Sequence, residues 1–514
     1  MEIFLQHLAN VNDSINTFIW VTLGLFLLLG TGVLTTLITG FFQITHLKHW
    51  WEKTGGGIFR KDVHSKADHS NVSQFQALCT ALAATIGTGN LAGVAAAICL
   101  GGPGAIFWMW VAAFFGMMTN FSENVLGIYF RRRDSHGEWC GGAMYYLKDG
   151  LGKICGYEKI GKVLAVLFSC FAILASFGIG NLGQVNKIVK NVEATFFAGA
   201  QHHVLWGEGA NQITSVSLGI GIVLMIIAFC IILGGLRRIA SVTEKLVPFM
   251  AIVYILGGLI ICAMHIKLLP AAFISIFRFA FGIKAVAGAA TGIAIKTIIT
   301  QGCKRGVYSN EAGLGSSVMV HSNSNVKEPV KQGLWGIFEV FADTMVVCTM
   351  TALLILTSGY IDLHTGLPAE GVNDAVLVAK VFTDAFGAFG GYFIALAMFL
   401  FAFTTVLGWS HYGSKAIDYL LGLKAVIFYR VFFCLLVVTG ALMTSSLAWD
   451  LSDTFNGLML VPNLIGVIAM SPLVVKITRN YVARKLHGKA EEPVLSYDEA
   501  VQKEMAEAVA KGEE

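Results

Sequence analysis

Apolar residues in this chain come in long runs separated by short polar stretches, with no sustained two-residue alternation of the kind a half-buried strand requires. Crossing a bilayer as a helix takes about 20 predominantly apolar residues. On that requirement eleven segments qualify: 18–42, 75–100, 105–130, 161–183, 213–236, 246–266, 279–302, 333–356, 386–409, 425–443 and 455–475. Two of them are interrupted. In the second, Ala83-Ala-Thr-Ile-Gly-Thr-Gly-Asn-Leu-Ala-Gly93 carries Gly87, Gly89 and Gly93, each costing about 1 kcal/mol relative to Ala in a helix interior. Non-helical backbone at bilayer depth is tolerated only where it is buried in protein or lines a cavity, so the interruption predicts a site. In the seventh, Gly288 and Gly292 lie four apart in mid-segment.

Gly-x-x-x-Gly is also a close-packing motif for membrane helices. The positions of the two interruptions favour a different reading. The second and seventh segments each open a group of five, residues 75–266 and 267–476, and five is odd, so the groups run in opposite orientation. Paired broken spans at corresponding places in inverted repeats point to a transporter site. The predicted architecture is therefore an all-α polytopic membrane protein of eleven transmembrane helices. One extra helix and its loop (1–74) precede a 5+5 inverted repeat, and a tail (477–514) follows whose charged, Ala-rich end, 493–514, reads as a surface helix or as disorder.

Composition agrees and adds topology. Of 514 residues, 55% are apolar and 13% charged, and the mean hydropathy is +0.69, which excludes a soluble globule. A net charge of +4 gives no reason to expect a nucleic-acid partner. Lys and Arg concentrate in the loops after the odd-numbered segments and in the tail. By the positive-inside rule the amino terminus is outside and the tail cytoplasmic, in a multi-pass protein of the cell membrane. No Lys or Arg precedes Lys48, so the first segment lacks the basic flank of a cleaved signal peptide. The ten Cys are scattered singly, and neither a His-Glu-x-x-His nor a nucleophile elbow occurs within the spans, so an enzyme is not expected. A channel is disfavoured because its pore needs a continuous polar lining and no pair of broken helices.

Three long motifs carry a family resemblance. They are Ala84-Thr-Ile-Gly-Thr-Gly-Asn-Leu-Ala-Gly-Val94, Gly101-Gly-Pro-Gly-Ala-Ile-Phe-Trp-Met-Trp-Val-Ala-Ala-Phe-Phe-Gly116 and Lys304-Arg-Gly-Val-Tyr-Ser-Asn-Glu-Ala-Gly-Leu-Gly-Ser316. The chain resembles the sodium:alanine symporter family, the alanine or glycine:cation symporters. The resemblance implies a LeuT-like fold and secondary active import of a small neutral amino acid, alanine or glycine, with Na⁺ as the coupling ion and no cofactor. Proton coupling, or a larger neutral substrate such as glutamine, is the alternative. Ala289 stands where a second Gly is usual, and Cys303 and Tyr308 are conservative variants, departures that bear on substrate preference.

An α-amino acid carries balanced charges, and half-helix ends supply balanced partial charges, positive at amino ends and negative at carboxyl ends. Amides around Gly87, Thr88 and Gly89 are expected to take the carboxylate, and carbonyls from Gly288 to Thr291 the ammonium. Thr85, Asn90, Gly292 and Trp409 complete the expected substrate set, with Phe171 and Phe177 as further walls. By the resemblance to LeuT-like transporters, one Na⁺ site joins carbonyls of Ala83 and Ile86 to hydroxyls of Thr404 and Thr405, and another uses Thr85 and Asn90. The competing reading of the two Thr is bonding back to their own helix. Asn181, Gln184 and Asn186 line the entrance or are simply interfacial. Glu123, Glu339 and Asp343 stand out as acids within spans, where ionisable groups are functional candidates. Glu123 reads as an anchor beside Arg131 to Arg133. Glu339 and Asp343, four apart, are expected to pair with Lys296 or gate the inner side. The remaining partner is the lipid bilayer itself.

Overall fold

A computed structural model of the chain describes residues 2–64, 72–134, 137–197, 203–206, 212–282, 294–372, 374–443 and 445–512. The spans in chain order are α1 (Asn10–Ile38), a broken pair α2 (Gln74–Thr85) and α3 (Ala92–Gly101), α4 (Gly104–Tyr129), α5 (Glu158–Phe196), α6 (Ser215–Ile232) and α7 (Gly235–Met264). The second half holds α8 (Ile295–Asn310), a single turn α9 (Val318–His321), α10 (Pro329–Thr357), α11 (Ala388–Leu421), α12 (Leu423–Leu442), α13 (Ser445–Ala469), α14 (Ser471–Lys485) and the tail helix α15 (Glu499–Ala510). Among the described residues eight helices are long and apolar enough to cross a membrane, or ten if each of two bent pairs counts as one span. The seventh expected segment is described only in part, because 283–293 lie outside the described residues; its described helix is α8.

Local signals set the helix starts. Ser73 caps α2 through a reciprocal box with Gln76, each side chain bonded to the other's backbone N–H at 3.1 and 3.2 Å. Pro329 occupies the first turn of α10, where no intrahelical N–H is needed. Small residues then let backbones approach: a Cβ on Gly32 of α1 would lie 2.7 Å from Phe115 of α4, and one on Gly408 of α11 2.8 Å from Ala84 of α2. The outward faces are apolar, as on α7, where Phe249, Ile252, Leu256 and Ile260 are exposed. The tightly packed elements are α2, α4, α10 and α11, which surround the breaks.

One end of the bundle gathers the basic loops. Val72 pairs with Ser324, Arg131 donates to the carbonyls of Ser324 and Val326, and Arg484 forks onto Glu328 at 2.8 and 2.7 Å. Lys304 and Arg305 are an exception to the charge reading. The segment boundaries put them in the loop after the seventh span, but they lie inside α8, with the Lys304 ammonium 2.6 Å from Asp453. The tail forms the surface helix α15, whose Val501 and Met505 pack with Leu495 against Trp139.

Candidate functional site

The first break falls where the glycines predict it. α2 ends at Thr85, Ile86 turns out of the helix with ψ 89°, and after a tight turn at Thr88–Asn90 the chain resumes as α3, bent by 58°. Asn90 holds the turn, its Oδ1 accepting the Gly87 N–H at 2.9 Å. Gly87 is required by proximity: a Cβ there would stand 2.5 Å from the Thr405 hydroxyl. The same hydroxyl lies 3.1 Å from the Ala83 carbonyl and 3.0 Å from that of Phe401 in its own helix. Thr88 donates its hydroxyl to Gln184 Oε1 at 3.1 Å.

Gly288, Thr291 and Gly292 lie outside the described residues. The interruption that the structure does describe comes later. α8 ends at Asn310, Glu311 takes a left-handed conformation (φ +56°), Gly313 and Gly315 have φ of +91° and +70°, and helix resumes only for the turn α9. An L-residue at φ above zero is uncommon and two glycines within three residues supply the rest of the reversal. This stretch is the Asn-Glu-Ala-Gly-Leu-Gly-Ser portion of the third motif. Its glycine signal is as plain as that of the first break, but it lies beyond the apolar run and escapes a search for interrupted runs.

Both breaks meet. A Cβ on Gly89 would come within 3.2 Å of Tyr308 and 3.3 Å of Ser309 Cα. Asp343 of α10 ties them together, accepting Asn90 Nδ2 at 2.6 Å on one oxygen, and Ser309 and Thr344 hydroxyls at 2.7 and 2.8 Å on the other. Glu311 is a buried acid the sequence reading overlooked: it accepts the Trp409 indole N–H at 2.8 Å and the Ser316 hydroxyl at 2.5 Å. Glu123 grips the second break from α4. It accepts the Gly315 N–H at 3.1 Å and an N–H of Asn463, whose amide also holds the Gly313 carbonyl at 2.8 Å.

Several expectations change accordingly. Glu123 is not an anchor beside Arg131 to Arg133; those arginines engage the loop carbonyls, Asp149, Trp139 and Glu504. Lys296 is exposed, while Asp343 is held as above and Glu339 bonds His321 at 3.0 Å and Asn120 at 3.3 Å. Thr404 turns along its own helix to the Leu400 and Phe401 carbonyls and toward Met250, away from Ala83. Thr85 likewise bonds back to Ala81 and Leu82. Phe171 faces an outer groove with Phe18 and Leu458, and Phe177 packs on Tyr429 and Phe432. Of the three polar residues on α5, Gln184 reaches the first break, whereas Asn181 and Asn186 bond backbone carbonyls of Phe433 and Met443. Trp409 sits beside the second break, pressed so closely on Gly180 that a Cβ there would be 2.2 Å away.

The arrangement offers polar backbone, hydroxyls and carboxylates buried at the crossing of two broken helices, surrounded by packed apolar side chains. A family model described as the sodium:alanine symporter family matches residues 5–495. The chain belongs to that family. Its class is therefore cation-coupled amino-acid symport. Among similar members, the sodium/alanine symporter AgcS of Methanococcus maripaludis is 42% identical over 469 residues, 91% of this chain and 96% of its own. The "Probable sodium/glutamine symporter GlnT" of Bacillus subtilis is 35% identical, over 97% of this chain and 95% of its own. Among solved structures, MhsT in complex with L-phenylalanine superposes with a TM-score of 0.53 at 14% identity, covering 80% of this chain and 99% of that one. That likeness is one of fold, and the symporter shares the LeuT-like architecture.

Proposed function

We propose that this symporter imports alanine or glycine together with Na⁺ by alternating access, with the amino terminus outside and the tail cytoplasmic. The observation that carries the ion reading is the Thr405 hydroxyl, 3.1 Å from the Ala83 carbonyl across the first break. Two oxygens converge there without a carboxylate, which suits a hard monovalent cation. The Ile86 carbonyl, at the residue where α2 unwinds, completes the proposed set. Thr404, turned away, is left out of it.

The amino acid belongs between the two breaks. The Gly89 amide, at the amino end of the α3 half, is assigned to its carboxylate, since Asn90 holds the Gly87 N–H and Gln184 meets the Thr88 N–H. The ammonium is assigned to the second break, now at Glu311 to Gly315, where a left-handed turn leaves carbonyls free of helical pairing. Trp409, fixed against Gly180, limits side-chain size and favours alanine or glycine over glutamine. Residues 75–266 and 267–476 are the two repeats that rock about this crossing.

Coupling energetics suffice. One Na⁺ moving inward gains about 2.3 kcal/mol per 100 mV, and a tenfold gradient adds about 1.4 kcal/mol. Together they support accumulation of roughly several hundred-fold. The test is uptake of labelled alanine by proteoliposomes under imposed gradients. An inward Na⁺ gradient is expected to drive uptake, and Thr405→Ala is expected to shift that uptake to higher Na⁺ concentrations. Uptake indifferent to Na⁺ but driven by a pH gradient would transfer the coupling role to the buried acids, with Asp343, between the breaks, as the proton carrier.

A further inference from the structure

The helix α14 turns 58° away from α13 at Ser471-Pro472 and lies at the end of the bundle that carries the basic loops. Its inner face, Val474, Ile477, Thr478 and Tyr481, is buried, while Pro472, Lys476 and Arg479 face outward. Arg484 is not part of that outer face, because Glu328 holds it in a two-point fork.

Between α14 and the end of α1 lies a cavity of about 700 Å³. Its polar wall presents Lys476, Arg479 and Lys489 with the imidazoles of His46 and His487, against the single acid Glu491. Its apolar wall is built by Ile38 and Phe42 from one side and Val475 and Val482 from the other. Beside it, Phe41, Ile44 and Leu47 point outward with 40%, 56% and 56% of their surface exposed. Apolar side chains exposed next to a basic helix at the end of a transmembrane bundle belong at the boundary between acyl chains and headgroups. A soluble anion would use the cations and gain nothing from the apolar wall, which continues onto the lipid-facing end of α1. A zwitterionic lipid would gain nothing from the surplus of positive charge.

We propose that this groove binds one anionic phospholipid, its phosphodiester held by Lys476, Arg479 and Lys489 and its acyl chains laid along Ile38 and the exposed Leu37 and Phe41. Basic pockets between membrane helices are suited to such headgroups, and each cation near an anionic surface contributes on the order of fivefold in affinity. The site is remote from the helix crossing and independent of which amino acid is carried.

The experiment is native mass spectrometry of the full chain titrated with phosphatidylglycerol or phosphatidylcholine. Wild-type protein is expected to retain phosphatidylglycerol preferentially. Lys476→Gln/Arg479→Gln is expected to weaken that retention about thirtyfold and leave phosphatidylcholine unchanged, while Lys159→Gln, an exposed lysine outside the groove, has no effect. Lys489→Gln, outside α14, gives an independent reading of about fivefold should the helix variant lose its fold. Glycerol phosphate and inorganic phosphate are expected not to displace the lipid. Unchanged retention in the groove variants, or displacement by either soluble phosphate as effectively as by lipid, overturns the proposal.

Discussion

Trp409 donates its indole N–H to the carboxylate of Glu311 at 2.8 Å, joining α11 to the left-handed turn that ends α8. Both side chains are buried, and the other carboxylate oxygen is taken by Ser316. The second break is thus clamped by a side chain from a helix that also supplies Thr405 to the first break, so α11 reads both interruptions at once.

Removing the indole donor leaves a buried carboxylate short of a partner, at a cost of about 1 to 3 kcal/mol. Trp409→Phe is expected to lower the midpoint of thermal unfolding and to reduce alanine uptake. Glu311→Gln, which keeps an acceptor for the indole, is expected to lose less stability than Trp409→Phe. A double-mutant cycle that came out additive would show that the pair does not act as a unit.

Thr404 and Thr405 are adjacent but point to different partners, which separates ligand from bystander. Thr405→Ala is expected to raise the Na⁺ concentration for half-maximal uptake by about tenfold or more, the worth of roughly one polar contact at a charged centre. Thr405→Ser should restore most of it. Thr404→Ala should leave Na⁺ dependence within about twofold, since its hydroxyl serves its own helix.

At Gly87 the available space is filled by Thr405 itself, 2.5 Å from where a Cβ would sit. Gly87→Ala is expected to cost about 1 to 3 kcal/mol by overpacking and to abolish Na⁺-driven uptake. Combining it with Thr405→Ala should recover stability without recovering transport, measured by thermal unfolding beside uptake.

Glu123 holds the second break through Gly315 and Asn463. Its truncation to Ala strands two buried donors, at about 1 to 3 kcal/mol each. The expected phenotype is reduced stability, with loss of transport that Glu123→Gln partly rescues. Full activity in Glu123→Ala would exclude a role in shaping the turn.

The tail helix is held by apolar contact rather than by charge. Glu504 pairs with Arg133 at 2.7 Å, but the pair is partly exposed and worth at most about 1 kcal/mol. Val501→Asp is therefore expected to release α15 and open residues near 496 to limited proteolysis, whereas Glu504→Ala leaves the cleavage pattern unchanged.

Long apolar runs, the glycines at Gly87 and Gly89, and the alternation of basic loops determined by themselves that this chain is a helical membrane protein with a break in its second span. These are properties of local sequence against a bilayer: a run is long enough to cross or it is not, and glycine weakens a helix wherever it sits. The motif residues carried the family. Only the tertiary structure decided where the described second break lies, because Glu311 to Gly315 follow the apolar run and become part of a buried crossing through packing against α4, α11 and α13. It alone decided which of two neighbouring threonines faces Ala83, since helical rotation is set by contacts such as Gly408 against Ala84. The buried acids belong to the same class. Sequence marks Glu123 and Asp343 as costly in a membrane, but the groups that offset the cost, Gly315 and Asn463 for one and Asn90, Ser309 and Thr344 for the other, come mostly from distant parts of the chain and meet only in the folded protein.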